Sequence, residues 1–106
     1  MINIVWTQSA LQTLELVYLQ TLRYTKNERI ATNLHNKLIK EAEILSTFPN
    51  AGSILSTSDK VTLCYRALVV DANYKLIYYI DINEDVIIVA ILDVRQNPDK
   101  LIKTIE

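Results

Sequence analysis

Residues 65–93 read YRALVVDANYKLIYYIDINEDVIIVAILD, which is three apolar, β-branched and aromatic segments joined by links at 71–73 and 83–85. A parallel connection needs a crossover of about a dozen or more residues, and these links are far too short for one. The three segments are therefore predicted to form a consecutive antiparallel meander. Arg66 lies inside the first segment and Arg95 follows the last, so this sheet is the first place to look for a functional site.

The first half of the chain predicts one strand and two helices. The segment from Ile2 to Trp6 alternates as a short strand does, and Thr7 is a residue type that begins helices. Asn27 and Glu28 can begin the second helix, which should end near the segment 48–52 with its proline and glycine. Two apolar stripes at helical spacing support the pair, namely Ala10, Leu11, Leu14, Val17, Tyr18 and Leu22, then Ile30, Ala31, Leu34, Leu38, Ala42 and Leu45.

These elements predict an α+β fold: an N-terminal strand, a two-helix hairpin, a three-stranded antiparallel meander and a short C-terminal helix from Pro98 to Ile105. The polar segment from Ser53 to Lys60 predicts a loop. We expect a sheet of about four strands with both long helices on one face. At this length the chain is expected to be a single domain over residues 1–106.

Composition excludes several classes of protein. Half of the 106 residues are hydrophobic, 22% are charged and the net charge is −1, which argues against a general polyanion binder. Cys64 is the one cysteine, so an internal disulfide and a cysteine-built zinc site are excluded, and we expect its side chain to be buried. No cofactor or metal is expected. The N-terminus lacks a basic signal segment and Val86–Leu92 is too short to cross a bilayer, which predicts a cytoplasmic protein without a membrane partner.

Five segments, in this order and spacing, resemble the RelE/ParE superfamily of toxins from type II toxin–antitoxin modules, which serve in plasmid stabilisation. They are Ile4–Thr7 leading to Ala10 and Leu14, Leu45–Gly52, Tyr65–Val69, Tyr74–Tyr79 and Asp93–Pro98, and they cover nearly the whole chain. The resemblance implies a growth-inhibiting toxin that a cognate antitoxin neutralises. RelE-like members of the superfamily cleave mRNA on the ribosome, and ParE-like members poison DNA gyrase.

The residues around the meander favour the ParE-like branch. Metal-free RNA cleavage requires a general base, a general acid and cations. Arg66 and Arg95 match arginines of the superfamily, but Gln96, Asn97 and Pro98 stand where RelE-like enzymes have a late Tyr or His. Amides do not titrate, so they cannot transfer the proton.

Tyr79 is left as the weaker nuclease candidate, since strand tyrosines more often pack than react. The tyrosines that we interpret as packing residues are Tyr18, Tyr65, Tyr74, Tyr78 and Tyr79. His35, the one histidine, lies in the second predicted helix, far in sequence from the arginines.

Charge points to the same branch. From Asp59 to the end of the chain there are six Lys/Arg and eight Asp/Glu, a net charge of −2 that suits phosphate binding poorly. The preferred hypothesis is a toxin that binds DNA gyrase and is not an enzyme, with Arg95, Gln96, Asn97 and Arg66 as candidates for contact with the target. The alternatives are a ribosome-dependent mRNA interferase, or a degenerate member that only binds its antitoxin.

Structural roles compete with these assignments. Arg66 could equally pair with a carboxylate such as Asp81 or Asp93, and for Asp93 an ion pair with Arg66 or Arg95 is favoured over catalysis. Three apolar residues lie outside the main helical stripes and are the candidates for antitoxin contact, namely Leu16, Leu19 and Ile39. A homodimer and a toxin–antitoxin hetero-oligomer both remain open.

Overall fold

The computed structural model describes residues 2–55 and 64–95. Its elements in chain order are β1 (Ile4–Trp6), α1 (Gln8–Thr25), α2 (Glu28–Glu43), a 3₁₀ turn (Ile44–Ser46), β2 (Ser53–Ile54), β3 (Arg66–Val70), β4 (Tyr74–Ile80) and β5 (Val86–Asp93). The helix predicted from Pro98 to Ile105 lies outside the described residues, as do Gln96 and Asn97. No helix within the described ranges is long and apolar enough to cross a membrane.

The sheet has five strands in the order β1-β5-β4-β3-β2. Strands β3, β4 and β5 form the predicted antiparallel meander, which is confirmed. At one edge β1 runs parallel to β5 and pairs with its first residues, from Ile4 opposite Val86 to Trp6 opposite Ile88. The α+β class and the order of strand, two helices and meander are confirmed.

Strand β2 corrects the expectation of about four strands and of a loop beginning at Ser53. Ser53 pairs with Ala67 and Ile54 pairs with Arg66, so this segment adds a two-residue strand at the other edge of the sheet. Both β2 residues are exposed. A short edge strand with two exposed residues has no alternation of buried and exposed positions, and its sequence therefore resembles that of a loop.

Side-chain caps begin both helices where the sequence predicts. The Thr7 hydroxyl accepts a hydrogen bond from the Ala10 N–H at 3.1 Å, and the Asn27 side chain accepts one from the Ile30 N–H at 3.2 Å. Each cap satisfies a backbone donor that a helix N-terminus leaves unpaired. Lys26, between the helices, adopts a left-handed conformation with φ of 53° that ends α1.

Both helices pack on one face of the sheet, as predicted. Two clusters of buried residues join helices and strands: Ala10, Ala42 and Leu45 with Leu76, Tyr78, Val86 and Ile88, and Leu14, Val17 and Leu38 with Val70, Tyr74 and Ile91. The helical spacing also assigned Leu11 and Ile30 to the apolar stripes, and there it was wrong, because both are about half exposed. They lie at the margins of their stripes, where the neighbouring element no longer covers them.

Two hydroxyl groups anchor α1 to β5. The Thr7 hydroxyl donates to the Ile88 carbonyl at 2.8 Å, and the Thr13 hydroxyl accepts from the Ile91 N–H at 2.9 Å. Between Ile88 and Ile91 the pairing register of β4 and β5 shifts. Ile77 lies opposite Ala90, whereas Tyr78 lies opposite Ile88. The helix is thereby held along β5, and its last turns reach the end of the strand.

Candidate functional site

A polar cleft lies where the end of α1, the β3–β4 turn and the end of β5 meet. Its volume is about 460 Å³. The residues that line it are Gln20, Thr21, Tyr24, Leu34, Asp71, Asn73, Tyr74, Asp93 and Arg95. We call it the Arg95 cleft. Of the residues predicted to contact a target, it contains Arg95, while Arg66 lies elsewhere.

Arg95 is held in the cleft by Asp93. Its Nε donates to Asp93 Oδ1 at 2.8 Å and its Nη2 donates to Oδ2 at 2.7 Å, a two-point ion pair, and the Arg95 backbone N–H donates to Oδ1 at 2.9 Å. The hydrogen bond from Arg95 lowers the pKa of the Asp93 carboxyl, and the same bond raises the pKa of the guanidinium. The predicted ion pair of Asp93 with an arginine is confirmed. This ion pair fixes the orientation of the guanidinium group and neutralises its charge.

The β3–β4 turn forms a second wall of the cleft. Asp71 and Ala72 both have left-handed backbone conformations, with φ of 56° and 59°. Such a conformation costs roughly 1–2 kcal/mol at Ala72, whereas aspartate is one of the residue types that tolerate it. The Asp71 carboxylate accepts a hydrogen bond from Lys37 Nζ of α2 at 3.1 Å, which ties the turn to the helical layer.

Two tyrosines complete the cleft from opposite sides. Tyr74, at the start of β4, is buried, and it lines the cleft together with Arg95. Tyr24, in the last turn of α1, is 91% exposed. Sequence reasoning identified Tyr74 as a packing residue and overlooked Tyr24.

Arg66 lies far from this cleft and holds a loop in place. Its Nη1 donates to the Gly52 carbonyl at 2.9 Å and to the Asn50 carbonyl at 3.5 Å. The proposed carboxylate partners were wrong, because Asp93 pairs with Arg95, and Asp81 Oδ1 accepts backbone N–H groups of its own turn. In sequence alone the carbonyls of a distant loop give no signal, so a carboxylate looked like the natural partner.

Tyr78 completes this loop-holding network. Its hydroxyl donates to the Pro49 carbonyl at 2.7 Å and accepts from the Gly52 N–H at 2.9 Å. Burial raises the pKa of this hydroxyl, and the Gly52 N–H and the nearby Arg66 charge partly offset the rise. A Cβ atom at Gly52 would lie 2.8 Å from the Tyr78 ring and hydroxyl, so the close approach requires glycine.

The candidate residues for RNA cleavage lie apart from one another. Arg66 lies opposite Tyr78 and Asp93 lies opposite Tyr74, and four residues along β4 correspond to about 13 Å. Tyr79 points to the other face of the sheet from its neighbour Tyr78, because side chains alternate along a strand. Its ring meets that of Tyr65 edge-on at 5.9 Å. The two arginines and Tyr79 therefore form no common site.

A second, apolar depression runs between α1 and α2 on the helical hairpin. It measures about 420 Å³ and is lined by Leu11, Leu14, Glu15, Tyr18, Thr32 and His35. Tyr18 and His35 meet edge-on across it at 6.0 Å. We call it the hairpin groove.

The three candidates for antitoxin contact lie outside the residues that line the groove. Leu16 and Leu19 are about half exposed on α1. Ile39 of α2 is partly buried against the core cluster that contains Leu14 and Leu38.

In the part of the chain that the structure describes, Cys64 and the potential metal ligands form no further centre. Cys64 was expected to be buried and is exposed, because it precedes β3 and is not covered as the strand residues are. Within residues 2–55 and 64–95, no group of three or more His, Cys, Asp or Glu side chains could hold a metal ion.

Comparison with known proteins agrees with this fold. The family model described as the ParE toxin of the type II toxin–antitoxin system parDE matches residues 4–98. The chain therefore belongs to the ParE toxin family, within the RelE/ParE superfamily. Among curated proteins no sequence matches it.

Solved structures show the same fold at low sequence identity. A chain of the chromosomal ParDE toxin–antitoxin system from P. aeruginosa is similar with a TM-score of 0.72 and 17% identity, over 89% of this chain and 97% of that one. A chain of the RelBE2 toxin–antitoxin complex from Mycobacterium tuberculosis is similar with a TM-score of 0.56 and 19% identity, over 87% of this chain and 96% of that one.

Proposed function

We propose that this ParE-family toxin arrests growth by binding a protein, DNA gyrase, through the Arg95 cleft. Gyrase acts on DNA in the cytoplasm, so the toxin would act there as part of a plasmid-stabilisation module. Gln96 and Asn97, which follow Arg95 in sequence, are the neighbouring candidates for contact. In this account the toxin binds its target and catalyses no reaction.

The observation that carries this proposal is which groups the two arginines bind. Asp93 neutralises Arg95 through two hydrogen bonds of 2.7 and 2.8 Å, and Arg66 donates to the carbonyl groups of residues 50 and 52. A nuclease needs cations that are available to phosphate and to the charge of the transition state. An oriented and neutralised arginine is better suited to hydrogen bonding with a protein surface, where arginine often contributes strongly to binding.

The separation of the remaining candidates also supports protein binding over RNA cleavage. A general acid must lie within hydrogen-bond reach of the leaving oxygen while the cations contact the same phosphate. Tyr79 is on one face of the sheet and the Arg66 network on the other. A ribosome-dependent interferase would have to assemble its acid, base and cations from elsewhere.

An antitoxin is the second partner that we propose. The hairpin groove is apolar and open along the helix pair, a shape that receives the apolar face of a partner helix. Leu16 and Leu19 would extend that contact over the outer surface of α1, and Ile39 would contribute its exposed part. The complex would be a hetero-oligomer, and a homodimer of the free toxin is the alternative that its molar mass in solution would reveal.

Two purified assays test the proposed target. The chain should inhibit supercoiling by DNA gyrase, and it should leave mRNA intact in a purified translation system. The Arg95→Ala variant should lose the inhibition. Cleavage of mRNA at codon positions would favour the interferase, and a chain that binds its antitoxin but has neither activity would be a degenerate member.

A further inference from the structure

Tyr24 occupies an unusual position on α1. The core-facing stripe of this helix runs through Ala10, Leu14 and Val17, and steps of four and three residues continue it to Thr21 and Tyr24. The first three are buried, whereas Tyr24 is 91% exposed. The helix extends past the part of the sheet that would cover this position. A large aromatic side chain is thus aligned with the core stripe but left uncovered, beside the Arg95 cleft.

We propose that Tyr24 is a target-binding residue. Together with Arg95 it binds an extended peptide segment of the protein target, and this segment carries no net charge. This inference rests on the proposed function and names the ligand class of the same cleft. Tyrosine and arginine are, with tryptophan, the residue types enriched among those that dominate binding at protein interfaces. Both line the cleft, from α1 and from the end of β5.

The charges of the cleft favour an uncharged peptide. Its ionised side chains are already paired, Asp93 with Arg95 and Asp71 with Lys37. The other polar groups of its lining include the amides of Gln20 and Asn73. Amide groups match the alternating N–H and C=O groups of a peptide backbone, whereas a phosphate chain would meet no unpaired cation among the lining residues that the structure describes.

The wall of the cleft is preorganised to bind. Asp71 and Ala72 keep left-handed conformations, the Lys37–Asp71 pair ties the turn to α2, and Asp93 orients Arg95. Binding a peptide to such a wall requires little further ordering of the toxin, which favours affinity. The loss of conformational entropy on binding would therefore come mainly from the target segment.

Tyr24→Ala tests the inference, with Ile82→Ala as the matched control. Ile82 is 96% exposed in the β4–β5 turn, at the opposite end of the sheet. Both variants should melt like the wild type, because both side chains are exposed. Tyr24→Ala should abolish growth arrest and weaken binding to purified gyrase by at least about 30-fold, the loss typical of a dominant interface residue. Ile82→Ala should remain toxic, and Tyr24→Phe should retain most of the binding because it keeps the ring.

The outcomes separate this inference from the choice of gyrase as target. If the wild type arrests growth without binding gyrase, leaves mRNA intact in a purified translation system, and only Tyr24→Ala abolishes the arrest, the inference holds and the target is another protein. Full toxicity of Tyr24→Ala, or equal loss in Ile82→Ala, would overturn it. A wild-type chain that neither arrests growth nor binds gyrase would overturn both proposals.

Salt dependence tests the uncharged character of the ligand. Between 50 and 200 mM salt, a site that neutralises six to ten phosphates loses affinity by roughly 10³–10⁵-fold. Binding of the toxin to gyrase should change by only a few-fold over that range, and excess RNA should not displace it. A loss of several orders of magnitude, or displacement by RNA, would identify an anion site and overturn the peptide assignment.

Discussion

Removal of one hydroxyl group, in Tyr78→Phe, should destabilise the fold measurably. The buried Gly52 N–H loses its acceptor at 2.9 Å, and the Pro49 carbonyl loses a donor at 2.7 Å. An unsatisfied buried donor costs roughly 1–3 kcal/mol and a lost net hydrogen bond about 1 kcal/mol. The expected decrease in the free energy of unfolding is therefore about 2–4 kcal/mol, out of about 5–15 kcal/mol for a domain of this size.

Thermal and urea unfolding measure this decrease. At about 4 °C per kcal/mol for a domain of this size, the melting temperature should fall by about 8–16 °C. The matched control is Tyr79→Phe, which removes a hydroxyl from the next residue, on the other face of β4. No hydrogen bond of that hydroxyl appears among the described residues, so its loss should change little. Equal stability of the two variants would refute the role assigned to the Tyr78 hydroxyl.

The same hydroxyl predicts a pH dependence. Because burial raises the folded-state pKa of Tyr78 above its ordinary value of 10.0, its contribution to stability is full below that pH. It is lost as the pH rises through the raised pKa, since the unfolded chain then ionises more readily. Wild type should lose stability above about pH 10 more steeply than Tyr78→Phe. Parallel curves for the two proteins would show that this hydroxyl does not ionise differently on unfolding.

Further substitutions test the loop, the ion pair and the antitoxin surface. Gly52→Ala should lower the free energy of unfolding by about 1–3 kcal/mol in urea titrations, because its Cβ would lie 2.8 Å from the Tyr78 ring. Unchanged stability would mean that the loop can shift to accommodate the added methyl group at no cost. Asp93→Asn should keep its melting temperature yet bind RNA more tightly in filter binding, since it leaves the Arg95 charge uncompensated; unchanged RNA affinity would contradict the neutralisation argument. Leu16→Lys with Leu19→Lys should weaken antitoxin binding in calorimetry while toxicity persists, and an unaltered affinity would exclude this surface.

Much of the fold could be predicted because short-range constraints decide it. The links at 71–73 and 83–85 are too short for a crossover, so they force the meander. Thr7 and Asn27 carry side chains that cap helices, and both do so. The edge strand at Ser53 escaped prediction because its pairing depends on β3, a strand that begins more than ten residues later.

The site was harder to predict, because long-range packing decides the role of each side chain. Helical spacing places Tyr24 on the core-facing stripe. Its exposure depends on where the sheet ends, which the helical spacing does not show. The partners of Arg66 are carbonyls of a loop whose approach depends on Gly52. By contrast, Arg95 and Asp93 are two residues apart, and their ion pair was accessible to sequence reasoning.

The affinity of the purified chain for DNA gyrase, with and without the Arg95 side chain, tests the central claim most directly. Titration calorimetry with the wild type, Arg95→Ala and the antitoxin as a second ligand would separate target binding from folding. The account predicts that the wild type binds gyrase and that Arg95→Ala does not, while the variant keeps its melting temperature and its affinity for the antitoxin. Equal binding of gyrase by both proteins, or no binding by the folded wild type alongside cleavage of mRNA in a purified translation system, would contradict it.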